Sequence, residues 1–154
     1  MKNLYKQSGF TMVEMLMAMV ILSIALIGLA KISTSVIRTN SFSESYTIAT
    51  ALAQDKLEEI MNLNFFNGAL DDLTAANNSA AGLLSVAAAD VQETQVDENG
   101  VAGAGGIFTR SINIWDRTDI ENPATRKDIA VIVSWLDALG KTRKVTVSTI
   151  KSRD

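Results

Sequence analysis

The hydrophobic pattern changes character three times along the chain. Residues 10–30, FTMVEMLMAMVILSIALIGLA, are apolar almost without interruption, and Glu14 is their one ionisable side chain. A run of about 20 apolar residues rising 1.5 Å each crosses the hydrocarbon of a bilayer, so this stretch predicts a membrane-length helix. Between 31 and 63 the pattern turns amphipathic. Ile48, Leu52, Ala53, Leu57, Ile60 and Met61 recur at three- and four-residue steps, with Gln54, Asp55, Glu58 and Glu59 on other faces. Joined, the two stretches make one helix from Phe10 to Leu63, about 80 Å long at 1.5 Å per residue. Ser41-Phe42-Ser43-Glu44 has the form of a capping box and leaves open a break or bend near Asn40.

Beyond residue 63 the helical period stops. Residues 64–106 are rich in Ala, Asn and Gly, with turn punctuation at Gly68, Asn77-Asn78, Gly82, Asp97-Glu98-Asn99-Gly100 and Gly103 to Gly106. A short helix is expected around 80–90. Strand patterns follow: Phe108 with Ile112 and Ile114 in 107–115, then Ile129, Val131, Val133 and Trp135, then Val145, Val147 and Thr149. Asp137-Ala138-Leu139-Gly140 reads as the hairpin loop between the last two. A three-stranded antiparallel sheet laid over residues 44–63 buries one apolar face of each layer, which predicts an α+β fold.

Composition narrows the chemistry. Net charge is −3, and the chain contains neither cysteine nor histidine. Thiol nucleophiles, Cys/His zinc sites and Ser–His triads are therefore excluded, and the usual base near neutral pH is missing. Carboxylates and lysines remain, but no paired constellation of them is visible. The chain reads as a non-enzyme, without catalytic residues, cofactor or metal site. A net acidic chain is also a poor generic ligand for nucleic acid, and no nucleic-acid partner is expected. Two charge clusters stand out. Asp116, Asp119, Glu121 and Asp128 gather around Pro123 but match no calcium-loop spacing, and an ordinary solvated loop accounts for them. Lys141, Arg143, Lys144, Lys151 and Arg153 make the last strand and tail basic, a common device on edge strands.

Glu14 decides how the N-terminus is read. A secretory signal peptide would use Lys2 and Lys6 as its positive start and Gly28-Leu29-Ala30 as its exit, but its apolar core runs to only about 7–15 residues. A plain membrane anchor explains the length, with the two lysines holding the N-terminus in the cytoplasm. Neither explains a carboxylate, which costs roughly 2.5–3.5 kcal/mol at mid-bilayer and less near an end.

The string Ser8-Gly9-Phe10-Thr11-Met12-Val13-Glu14 resembles the class III leader of type IV prepilins and type II secretion pseudopilins. In that family a short basic leader ends in Gly, a membrane aspartyl peptidase cleaves after it and N-methylates the new terminus, usually Phe, and the fifth mature residue is Glu. Gly9, Phe10 and Glu14 fall on those places. The resemblance implies cleavage between Gly9 and Phe10, methylation of Phe10, and pairing of Glu14 with a neighbouring subunit's terminal amine to set axial register. It also implies four regions: a leader (1–9), a transmembrane and filament-core helix (10–30), a helix continuing into the head (31–63) and an exported α+β head (64–154).

Softer resemblances concern the family member. Leu22 to Ala30 and the closing Val131-Ile132-Val133-Ser134-Trp135 and Val145 to Thr149 are similar to PilV-type minor pilins, and Ala51 to Ile60 is similar both to those and to I-type minor pseudopilins. Lys31 stands where major pilins commonly carry proline, and their terminal cysteine pair is absent. These features imply a minor subunit supporting pilus initiation, or a minor pseudopilin of type II secretion. The implied partners are other pilin subunits, the prepilin peptidase, an inner-membrane assembly platform and, before assembly, membrane lipid. The implied location is the bacterial inner membrane, single-pass with the head periplasmic, and then the pilus or pseudopilus. A secreted binding domain released after Ala30 is the reading from another class.

Overall fold

The structure, a computed structural model, describes residues 9–118 and 125–153. The chain forms two compact units, Met1–Ser41 and Phe42–Asp154. Helix α1 (Met12–Asn62) supplies residues to both. Three short 3₁₀ turns follow, at Gly68–Leu70, Ala75–Asn77 and Val86–Ala88. Strands β1 (Val91–Val96), β2 (Phe108–Asp116), β3 (Arg126–Leu136) and β4 (Thr142–Ser152) then build an antiparallel sheet in the order β1-β2-β3-β4. The architecture is α+β, as the pattern predicts.

The core of the second unit lies between α1 and one face of the sheet. Ala49, Leu52, Ala53 and Ile60 are buried, with Ile48, Leu57 and Leu63 packed beside them. This is the three- and four-residue stripe of the sequence. Ala49 and Ala53 are fully buried in this stripe. Opposite lie Phe108, Ile112 and Ile114 of β2, Ile129, Val131, Val133 and Trp135 of β3, and Val145 of β4. Burying a side chain of this size contributes about 1.5–3 kcal/mol. The β3–β4 loop is the expected hairpin: Gly140 takes φ of 71°, and its N–H donates to the Asp137 carbonyl at 2.8 Å.

Four expectations are corrected. The helix runs through Asn40 without the break that Ser41 to Glu44 left open, and the Thr39 and Thr47 hydroxyls donate to the Ser35 and Ser43 carbonyls at 3.0 and 2.9 Å. No α-helix forms at 80–90, where turns and one 3₁₀ segment replace it. Strand β2 runs one residue past the expected end at Trp115. Among the described residues the sheet has a fourth strand, β1. Its mostly polar sequence VQETQV buries only Val96, so it carries little hydrophobic pattern to betray it.

Over β2 and β3 the sheet is also covered on both faces, not one. Ala130 and Ile132 of β3 and Ser111 and Asn113 of β2 point away from α1 yet are fully buried. The segment around Gly82 to Ser85 lies over this face, its carbonyls at 82, 83 and 85 accepting from the Asn113 side-chain amide at 3.3, 2.7 and 2.9 Å. Asp90 fastens the same segment to the sheet. Its carboxylate accepts from the backbone N–H of Leu73 at 2.8 Å and of Ile114 at 2.6 Å, and from the Asn77 amide. A carboxylate thus pairs with the Ile114 N–H just beyond the start of β1.

Buried cations complete the assembly. Arg110 pairs with Glu93, which Lys56 of the helix also approaches at 3.6 Å, so β1, β2 and α1 share one ionic cluster. The last turn of α1 holds no basic residue of its own. Lys151 supplies one, donating to the Met61 carbonyl at 2.6 Å. Its cross-strand neighbour Lys127, also buried, donates to the Leu70 carbonyl at 2.6 Å and pairs with Asp116 at 2.9 Å. A cation at a helix C-terminus meets unpaired carbonyls and the negative end of the dipole. Lys151→Met is therefore expected to lower stability by about 2 kcal/mol, whereas Lys141→Met, at an exposed position, is expected to stay within about 0.5 kcal/mol of the parent. Urea denaturation of both variants measures the difference.

Candidate processing and assembly site

The first described residues, Gly9 and Phe10, are non-helical and exposed. Among the described residues, a Cβ at Gly9 would meet no other atom within 4 Å. Helix α1 begins two residues after Phe10, and its cap is local. The Glu14 N–H donates to the Thr11 hydroxyl at 3.3 Å, and the Met15 N–H to the Thr11 carbonyl at 3.2 Å. Thr11-Met12-Val13-Glu14 is thus a capping-box sequence with Glu14 at the third helical position. There a carboxylate is favoured by the positive end of the helix dipole. The threonine cap is a signal the sequence reading passed over, although its spacing was visible.

From Gly9 to Asn40 every residue is exposed, including the large apolar side chains from Met12 to Ile37. Among the described residues α1 is the one helix long and apolar enough to cross a membrane. Two hydroxyls along it bond back into the helix. The Ser23 and Thr34 hydroxyls donate to the carbonyls of Met19 and Ala30 at 2.8 and 3.0 Å, which removes the cost of carrying a bare hydroxyl into hydrocarbon. Glu14 makes no ion pair among the described residues. It remains the single charged group between Met12 and Ala30, with Lys31 marking the far end of the run.

The charge clusters of the head resolve differently. Of the acidic group, Asp119, Glu121 and Pro123 lie outside the described residues. Asp116 pairs with Lys127, and Asp128 with Arg117 at 2.8 Å and Arg126 at 3.2 Å. Of the basic strand, Lys151 binds the helix end, Lys144 reaches the Leu84 carbonyl at 3.4 Å, and Arg153 lies over the Phe66 ring. Arg143 stacks on Phe42 and pairs with Asp137 at 2.8 Å. Each of these four cations has a contact within the chain, and Lys144 stays exposed. An open cleft lined by Glu44, Ser45, Ile48, Asp97, Glu98 and Phe108 carries only acidic charges.

Residues 4–30 match the prokaryotic N-terminal methylation motif family, a span that contains Gly9, Phe10, Thr11 and Glu14. The match supports a type IV pilin or pseudopilin character for this N-terminal segment. No curated protein and no solved structure matches the chain.

Two outcomes follow from the local geometry. Thr11→Val, close in shape but lacking the hydroxyl, is expected to loosen the first helical turn by about 1 kcal/mol, and Thr11→Ser to preserve it. Faster amide exchange at Glu14 in micelles checks this. In the head, the Lys141 N–H, the Arg143 guanidinium and the Leu139 N–H hold the Asp137 carboxyl below the usual carboxylate range, against a smaller opposing effect of desolvation. A depressed carboxyl stabilises the fold above its unfolded pKa of about 3.9 and loses that contribution as pH falls through the lower folded value. Asp137→Asn should accordingly be less stable than the parent at neutral pH. The gap in urea midpoint should narrow as pH drops below about 4.

Proposed function

We propose that the chain is the precursor of a minor type IV pilin, a non-catalytic subunit that supports initiation and assembly of a pilus. The observation that carries this reading is the methylation-motif match over residues 4–30 leading into a capped helix whose large apolar side chains from Met12 to Ile37 are exposed. A helix of this composition needs a cover that its own chain does not supply from Gly9 to Asn40. The inner membrane provides it first, and packed helices of other pilin subunits provide it in the filament. The prepilin peptidase cleaves the exposed, non-helical bond between Gly9 and Phe10 and methylates Phe10, and an inner-membrane assembly platform takes the processed subunit onward.

Cleavage creates an ammonium on Phe10 one turn before Glu14. In a filament core of apolar helices both charges need partners, and Glu14 of one subunit meets the terminal amine of the next. Removing one partner of a buried pair costs about 3–5 kcal/mol, whereas the intact pair adds little net stability, so the pairing acts chiefly on axial register. The PilV-like segments and Lys31 support a minor subunit over a major one. The same motif suits a minor pseudopilin of a type II secretion system, which is the second reading. Release of a secreted domain after Ala30 is the weaker one, because Gly28 to Lys31 lie inside the continuous helix.

Mass spectrometry of the mature N-terminus tests the proposal: methylated Phe10 is expected, and a chain beginning at Lys31 overturns it. Glu14→Val should be cleaved and methylated normally yet fail to enter filaments; normal incorporation would remove the register role. Deletion of the gene should abolish piliation on the first reading and protein secretion on the second.

A further inference from the structure

The sheet ends in two unlike edges. Strand β1 is short, its ladder slips between Glu93 and Val96, and Gln95 takes φ of 54°. The loop after it folds back, so that the N–H groups of Gly103 and Gly106 donate to the carbonyls of Thr94 and Gln95 at 3.1 and 3.0 Å. That edge is closed by its own chain. Strand β4, in contrast, pairs with β3 residue for residue from Thr142 to Ser152 without a slip.

Hydrogen bonds at its two ends establish which backbone groups of β4 point outward. The Asp137 N–H donates to the Lys141 carbonyl at 2.9 Å, and the Arg153 N–H to the Thr125 carbonyl at 2.8 Å. Odd-numbered residues therefore turn their backbone toward β3. Alternation leaves the N–H and C=O of Thr142, Lys144, Thr146, Ser148, Ile150 and Ser152 pointing away from the sheet. All six are exposed, and among the described residues no backbone hydrogen bond reaches them from another element.

The composition of this edge favours pairing and selects the partner. Its Val, Thr and Ile content suits a strand. Between Asp137 and Asp154 its charges are of one sign, with Lys141 and Lys144 exposed, Arg143 shared with Asp137 and Lys151 held at the helix end. An antiparallel second copy centred on Val147 would set Arg143 against Lys151 and Lys141 against Arg153. Moving the centre to Thr146 sets Lys141 against Lys151, and moving it to Ser148 sets Arg143 against Arg153. Like charges directly opposite one another destabilise a strand pair, which disfavours these three registers, the ones of greatest overlap. The acidic edge strand β1 of a second copy is no substitute, because its outer carbonyls at 94 and 95 are already taken.

We infer that the free edge of β4 docks an extended, acidic segment of a different polypeptide, added to the sheet by backbone hydrogen bonds and selected over a second copy by charge. The inference concerns the head alone and does not depend on how the N-terminus is processed. Thr146→Pro removes an outward N–H while leaving the ladder to β3 in place. Full-length protein in detergent micelles is mixed with a synthetic peptide alternating valine and glutamate and followed by amide hydrogen exchange. Exchange at Lys144, Ser148 and Ile150 should slow by about tenfold, and a peptide with lysine in place of glutamate should have no effect. The slowing should vanish in Thr146→Pro, whose fold is checked by unchanged exchange in β2 and β3. Lys144→Glu, which keeps every backbone group, should weaken binding of the acidic peptide by about tenfold. Equal protection by both peptides, protection surviving Thr146→Pro, unchanged affinity in Lys144→Glu, or no protection at all overturns the inference. So does concentration-dependent protection without peptide, which identifies a second copy as the occupant.

Discussion

The packing of Ala49, Leu52, Ala53 and Ile60 against β2 and β3 is the contact on which the rest of the head depends. Two of these residues are alanines, both fully buried. The contact buries a continuous apolar layer, but it also takes backbone carbonyls and charged side chains out of water. Each then needs a partner inside the protein. The buried lysines and the ionic cluster around Glu93 answer that need. Lys151 takes the carbonyl of Met61 at the helix end, Lys127 takes that of Leu70, and Arg110 and Lys56 share Glu93 between strand and helix.

The far side of the sheet follows a different logic. Its cover is an irregular segment rich in small and polar residues, which offers carbonyls rather than an apolar face. Asn113 and Asp90 are therefore more important there than any hydrophobic contact. One donates to the carbonyls of Gly82, Leu83 and Ser85, and the other accepts from Leu73, Asn77 and Ile114. Hydrogen bonds to buried polar groups hold a loop in one place that propensity alone would leave undefined.

The two halves of α1 face opposite requirements. Within Phe42–Asp154, the helix has a polar side and an apolar side, and the sheet satisfies the latter. From Phe10 to Ala30 the chain is apolar around its circumference apart from Glu14, and its side chains are exposed. The proposed membrane and filament environments supply their cover, and the in-helix bonds of Ser23 and Thr34 make that possible without exposing hydroxyls to hydrocarbon.

Much of this was legible in the sequence because it is encoded locally. The apolar run with Glu14 inside it, the stripe from Ile48 to Ile60, the alternation in β3 and β4 and the glycine of their hairpin each express a period of 3.6 or 2 residues or a single turn position. The Thr11–Glu14 cap belonged to the same class and was within reach. Strand β1 was hidden because an edge strand with one buried residue carries almost no alternation. The burial of both sheet faces was hidden because its cover has no period at all. The role of Lys151 was out of reach for another reason: its partner is a carbonyl 90 residues earlier, left unpaired only because the helix ends there. Sequence alone determined the segments, their periods and the charged position in the apolar run. The tertiary structure alone decided which polar groups would lose water, and hence which distant side chains had to meet them.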